Sequence, residues 1–292
     1  MAFSTLSGDE QGVILGQLRN ALEPRLVMYF SSASKELRAL LPPAVQQQLR
    51  TDYEEATALC LKVGMPDSKE LREATGVEWY EKGLTAADLA TLAKLGSVLS
   101  ALVVLSLTER SGSAGPDGGL RLAEGLVAGA LPAVAYLFIG GMHVGDAGAS
   151  ALAAALDRGA LPRLKGLRLV NAAIGDAALA ALAPALRRRP ALERLFLSGN
   201  PFGDEGLAAL VAPPPAAGTP PPPAGGLKKL YWLALEGTKV SDAGCATLVA
   251  ALDSGALPAL DTLALDDIPA SAAAMAAVYA ALVRSRARAA PS

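Results

Sequence analysis

Apolar residues recur in one arrangement along the second half of the chain. A leucine-like residue is followed by another three places on and a third two beyond that: Val134, Leu137 and Ile139; Leu164, Leu167 and Leu169; Leu192, Leu195 and Leu197; Leu230, Leu233 and Leu235. The closing spacing of two is the alternation of a strand with one buried face, so each set predicts a short β-strand. A turn follows, then one more apolar residue (Val144, Ile174, Phe202 or Val240) that opens a run of helical period: 144–156, 174–186, 202–213 or 240–252. Within these runs Leu152 and Leu156, Leu182 and Leu186, and Leu248 and Leu252 lie four apart and face inward. Asp146, Asp176, Asp204 and Asp242 stand where helix N-caps belong. Gly159 and Gly255 fit the position just past a helix end, and Leu-Pro is expected to open the next strand.

The pattern is periodic. Its anchors Leu105, Leu137, Leu167, Leu195, Leu233 and Leu263 are separated by 32, 30, 28, 38 and 30 residues. The long interval contains PPPAAGTPPPPAGG at 213–226, which reads as a loop insertion, since proline fixes φ and lacks a donor. A half-matching unit precedes the series, VEWYEKG at 77–83 followed by LTAADLATLAKL at 84–95, making about seven units. The spacing predicts parallel strands near 103–107, 135–139, 165–169, 193–197, 231–235 and 261–265, each followed by a helix. The last unit has Pro269 where its helix should start, and its Ala-rich run over 270–283 ends in Arg284, Arg286 and Arg288, as a terminal cap would.

These units, over about 77–284, resemble leucine-rich repeats of the ribonuclease-inhibitor type. The resemblance implies an α/β, right-handed solenoid with parallel strands on the concave face and helices on the convex face. It also implies an asparagine after each strand, which Asn171 and Asn200 alone supply. Residues 1–76 carry no repeat and read as an all-helical region, with helices over about 10–22, 25–41, 43–63 and 68–75. The chain thus divides into a helical region, 1–76, and a repeat domain, 77–292. Within the first, 13–41 resembles a degenerate F-box: an apolar helix, a Leu-x-Pro-Arg turn (Leu22, Pro24 and Arg25), a second apolar helix and a Ser-Lys-x-Leu-Arg segment. The tryptophan that family usually carries near Leu37 is missing. The resemblance implies that Leu22, Pro24 and Arg25 dock an adaptor of a ubiquitin ligase.

Composition narrows the chemistry. Net charge is −2, so no global field draws the chain to nucleic acid or membrane. Residues 125–145 are uncharged, but Gly129, Pro132, Gly140 and Gly141 cut them into the elements of a repeat rather than a membrane span. The N-terminus has no basic n-region, which reads against a secretory signal. Two cysteines suit a reducing compartment, cytoplasmic or nuclear, and both Cys60 and Cys245 read as core thiols. His143, the one histidine, aligns with Ala173, Pro201 and Lys239 on an exposed loop, so neither a Ser-His-Asp triad nor a histidine-rich zinc site can be assembled. SGSAGPDGG at 111–119 lacks the Lys-Ser/Thr ending of a phosphate-binding loop and reads as an enlarged loop. The acidic row reads as caps rather than as a cation site.

That leaves the face between the strand leucines. In a chain with 4% aromatic residues, Tyr136, Phe138, Phe196 and Trp232 fall on it, with Arg168 and Arg194 among them. Exposed aromatics with arginine are the side chains enriched at protein-binding hot spots. The expected function is a non-enzymatic scaffold that binds a protein partner through these six residues, without cofactor or metal; the sharper form is a substrate receptor of a ubiquitin ligase. The alternative is a GTPase-activating protein of the same repeat type, offering Asn171 or Asn200 from a strand-to-helix loop.

Overall fold

The computed structural model describes residues 43–110, 114–211 and 226–289. Among them the chain runs α1 (Pro43–Val63), α2 (Ser68–Glu73), β1 (Gly76–Tyr80), α3 (Ala86–Leu95), β2 (Val104–Thr108), α4 (Gly115–Val127), β3 (Tyr136–Gly140), α5 (Gly145–Asp157), β4 (Gly166–Val170) and α6 (Asp176–Arg187). It continues through β5 (Arg194–Phe196), α7 (Asp204–Val211), β6 (Trp232–Ala234), α8 (Asp242–Asp253), β7 (Thr262–Ala264) and α9 (Ala272–Ala289). The described strands form one sheet in chain order, every neighbouring pair parallel. The expected strands are therefore present, β2 to β4 lying one residue further on and β5 to β7 shorter by one residue at each end, and the half-matching first unit contributes a full strand.

Register follows the leucine anchors. Val77, Leu105, Leu137, Leu167, Leu195, Leu233 and Leu263 stand abreast across the sheet, none more than 7% exposed. Val144, Ile174, Phe202 and Val240 are all buried, as their place before each helix requires. The helices pack on one another in chain order from α3 to α9. Neighbouring strands sit about 4.8 Å apart and packed helices about 8–10 Å apart. A stack with those two spacings must bend toward its sheet, so the strands line the inner, concave side.

The acidic row does not cap its own helices. Asp146 lies inside α5, and its Oδ1 accepts from the Gly175 N–H of the next repeat at 2.7 Å. Asp176 Oδ1 accepts from Gly203 N–H at 2.8 Å and Gly206 N–H at 2.7 Å. Asp204 accepts from the backbone and hydroxyl of Ser241, and Asp242 from those of Ser271. Each carboxylate therefore meets the unpaired N–H groups of the following helix start, coupling one repeat to the next. At the other helix ends the direction reverses. Arg188 pairs with Asp157, Arg189 donates to the Leu156 carbonyl, and Arg288 reaches the Leu252 carbonyl at 2.9 Å. Arg189 and Arg288 thus meet last-turn carbonyls of the preceding helix, which also accept from the Gly159 and Gly255 N–H groups, and Arg188 meets a carboxylate at the end of α5. Asp176→Ala is expected to destabilise by about 1–2 kcal/mol in urea titration, with no change of that difference in calcium.

Three further local readings change. The glycines expected in an enlarged loop belong partly to α4: Gly118 and Gly119 are buried helical positions. A Cβ at Gly119 would come within 2.7 Å of a Val144 methyl and 3.3 Å of the Gly148 Cα, so the glycine permits close helix approach. Leu131 and Leu161 do not open strands but take left-handed backbone in the turns that precede them (φ +57° and +50°). Helix α9 runs through Arg284, Arg286 and Arg288 instead of ending before them.

Helix α1 closes the N-terminal end of the stack. Ala56, Leu59, Cys60 and Val63 join the same hydrophobic core as the repeats. Lys62 pairs with Asp88 at 2.6 Å, and Lys94 of α3 reaches Glu55 at 2.8 Å and Asp52 at 3.3 Å. Burial alone would raise the Asp88 carboxyl, but hydrogen bonds from Lys62 and the Thr85 backbone and hydroxyl carry it below the usual carboxylate range. Cys60 and Cys245 are buried, and burial pushes both thiols up, away from the reactive thiolate. The F-box-like segment and the prolines of the tract lie outside the described residues.

Candidate partner-binding face

Parallel pairing lays the inward-pointing residues of the arc in transverse rows. Val104, Tyr136, Gly166, Arg194, Trp232 and Thr262 form one, and Ser106, Phe138, Arg168, Phe196, Ala234 and Ala264 the next. All six residues expected to bind a partner occupy these rows. Arg168 and Trp232 are exposed; Tyr136, Phe138, Arg194 and Phe196 are half-buried.

They form two linked groups. Gly166 has no side chain, and a Cβ there would come within 2.6 Å of the Tyr136 ring. The ring can therefore lie over β4, and Arg194 from β5 stacks on it at 5.6 Å. The other face of the arrangement is Tyr231, whose ring lies 5.4 Å from the Arg194 guanidinium and whose hydroxyl accepts from Nε. Arg194 is thus held between two tyrosines, with much of its rotamer entropy already spent. Phe196 meets Trp232 edge to face at 5.0 Å, and Phe138 lies 6.2 Å from Tyr136. Strand alternation does not supply Tyr231, because it shares the phase of Leu233 and Leu235 and is assigned to their side; it stands one residue before β6.

A groove of about 610 Å³ opens at the end of this face where the strands leave the sheet. Its lining includes Tyr80, Arg110, His143, Arg168 and Asn171 over glycines 140, 141 and 199. His143 is exposed, as its loop position implied. Gly141 and Gly199 have φ of +64° and +70°, and a Cβ on either would come within 1.9 Å of an oxygen, so the floor must be glycine. Arg110 is engaged with Glu81 at 2.8 Å and with the Tyr80 ring at 5.7 Å. Glu109 is 2% exposed, and its carboxylate accepts from Gly83 and Leu84 N–H groups at 3.1 and 3.0 Å. Sequence reading missed it; its one signal is a carboxylate at the turn position held by glycine or asparagine in the next four repeats.

The two asparagines separate. Asn200 is 1% exposed and donates to the Leu169 and Leu197 carbonyls at 2.6 and 2.7 Å. Its Oδ1 accepts from Ala172 and Ile174 N–H groups at 3.0 and 3.1 Å. Wholly committed to the backbone, it cannot serve as a nucleotide-facing residue. Asn171 stands one position earlier in its repeat, exposed and in left-handed backbone (φ +51°), so it is a turn residue and not the counterpart of Asn200. Leu22, Pro24 and Arg25 lie outside the described residues. Among those described, no group of three or more His, Cys, Asp or Glu is placed to hold a metal ion. No described helix is long and apolar enough to cross a membrane.

A family model described as Leucine Rich repeat matches residues 190–211, the unit that contains β5, Asn200 and α7. That unit is similar to a leucine-rich repeat. That repeat is the one whose post-strand asparagine is buried and fully bonded, and the matching strand-turn-helix unit continues on both sides. Among solved structures, one titled as leiomodin-1 actin-binding site 2 matches at 15% identity and a TM-score of 0.39, covering 59% of this chain and 90% of that one. At that identity the likeness says nothing about what this chain binds. No curated protein matches the sequence.

Proposed function

We propose that this protein is a non-enzymatic scaffold that holds a protein partner on the concave sheet. One observation carries the reading. In a chain with 4% aromatic residues, the inner face presents a tyrosine-clamped arginine, an exposed tryptophan packed on a phenylalanine, and an arginine with no partner among the described residues. Rigid aromatic anchors with arginine supply contact area at low entropic cost, as binding hot spots do. Tyr136, Phe138, Arg168, Arg194, Phe196 and Trp232 are the proposed contacts. The test is affinity capture with a Phe138→Ala, Trp232→Ala variant, which should fold and lose the partner; unchanged capture contradicts the reading.

The finer form is a substrate receptor of a ubiquitin ligase, with the concave face holding the substrate and Leu22, Pro24 and Arg25 docking the adaptor. Its support is the F-box-like sequence of 13–41. Replacing Leu22 and Pro24 should abolish adaptor capture and leave concave-face partners bound; wild-type protein that captures no adaptor from its own cell extract removes this form alone.

A further inference from the structure

Arg168 lies in the middle of β4, between Phe138 on β3 and Phe196 on β5 in the register of the sheet. It is exposed and lines the groove at the end of the concave face. The other charged groups nearby are engaged: Arg110 with Glu81, and Glu109 with two backbone N–H groups. Arg194, one strand on, is held by Tyr136 and Tyr231. Arg168 has no such partner among the described residues. A guanidinium left free between two half-buried phenylalanines keeps its five donors for a planar oxyanion brought from outside. A single uncommitted cation matches a single carboxylate, which it can grip through two parallel hydrogen bonds. The rings on either side offer apolar contact to the neighbours of that carboxylate, and the glycine floor lets a backbone approach.

We propose that Arg168 is the anchor for an aspartate or glutamate side chain of the bound partner, in a peptide segment that carries an apolar residue beside the acidic one. This rests on the concave face being the partner-binding surface and specifies the chemistry it selects. Arg168 acts as the charge anchor, and Phe138 and Phe196 as the apolar walls.

The probe is a library of random dodecapeptides displayed on phage, selected on the full chain in parallel with its Arg168→Glu and Arg168→Lys variants. Wild type should enrich Asp or Glu next to an apolar residue. Arg168→Glu should reverse the preference toward Lys or Arg. Arg168→Lys, which keeps the charge and loses the fork, should bind the wild-type peptides about 10-fold more weakly, consistent with a charge-assisted bond. Peptides that end in a free carboxylate but lack an internal acid would replace the side-chain assignment with a chain terminus and overturn the proposal as stated. Selected peptides without acidic enrichment that still lose binding to Phe138→Ala, Trp232→Ala would overturn the anchor and leave the concave face standing. Peptides indifferent to that double variant would overturn both. Failure to enrich any peptide overturns the anchor, while partner capture by the double variant judges the face.

Discussion

Replacing Asn200 by alanine should destabilise the protein by about 2–4 kcal/mol, because two buried carbonyls and two buried N–H groups then lose their only side-chain partner. Its amide bridges the loop of one repeat, at Leu169, Ala172 and Ile174, to the Leu197 carbonyl of the next. The equivalent positions in other repeats, Met142, Ala172 and Thr238, are all buried and close their loops without an asparagine. The cost at Asn200 is therefore that of an emptied hydrogen-bonding socket, not of a general requirement at this place in the repeat. Asn200→Asp gives the control. It preserves shape and both accepting contacts but sets a carboxylate against the two carbonyls, so it should be at least as harmful as alanine. Urea titration of both variants checks this; a well-tolerated aspartate would show that shape, rather than donation, holds the loop.

The second large effect is at Leu167. It is 0% exposed in the central strand, between Leu137 and Leu195 in the register. Leu167→Ala should cost about 2–5 kcal/mol through lost transfer energy and the cavity left between close-packed neighbours. Arg168, the adjacent residue on the opposite face, is exposed and unpaired among the described residues, so Arg168→Ala should change stability by no more than about 0.5 kcal/mol. Equal shifts of the urea midpoint for the two variants would mean that the assignment of faces is wrong.

That adjacency also shows why so much of the fold was legible. Alternate leucines fix which residues point inward, and a period near 30 residues fixes what stands beside what. Strand order, parallel pairing and all six expected concave residues follow from those two facts. What escaped the sequence depends on contacts between repeats. Asp176 looks like a cap for the helix that starts at it, because sequence shows only its own helix; the N–H groups it accepts from are 27 and 30 residues on. Asn171 and Asn200 look alike until the register reveals that they are offset by one position, which sends one into the turn and the other into the core. Tyr231 was missed for a similar reason: alternation gives it the phase of Leu233, and it enters the site because Arg194 reaches across from β5. The groove could not be read at all, since it forms where the turns of several repeats meet.

The central claim is that the concave sheet, and not the helical surface, binds the partner. The most direct measurement compares capture from the protein's own cell extract by wild type, by Phe138→Ala, Trp232→Ala, and by a variant altered on the outer helices, Ser150→Arg, Ala180→Arg, whose two positions are exposed on α5 and α6. With all three shown to be folded by circular dichroism and thermal melting, the account predicts that the concave variant alone loses the partner. Loss from the helical variant, with capture by the concave variant intact, would contradict it.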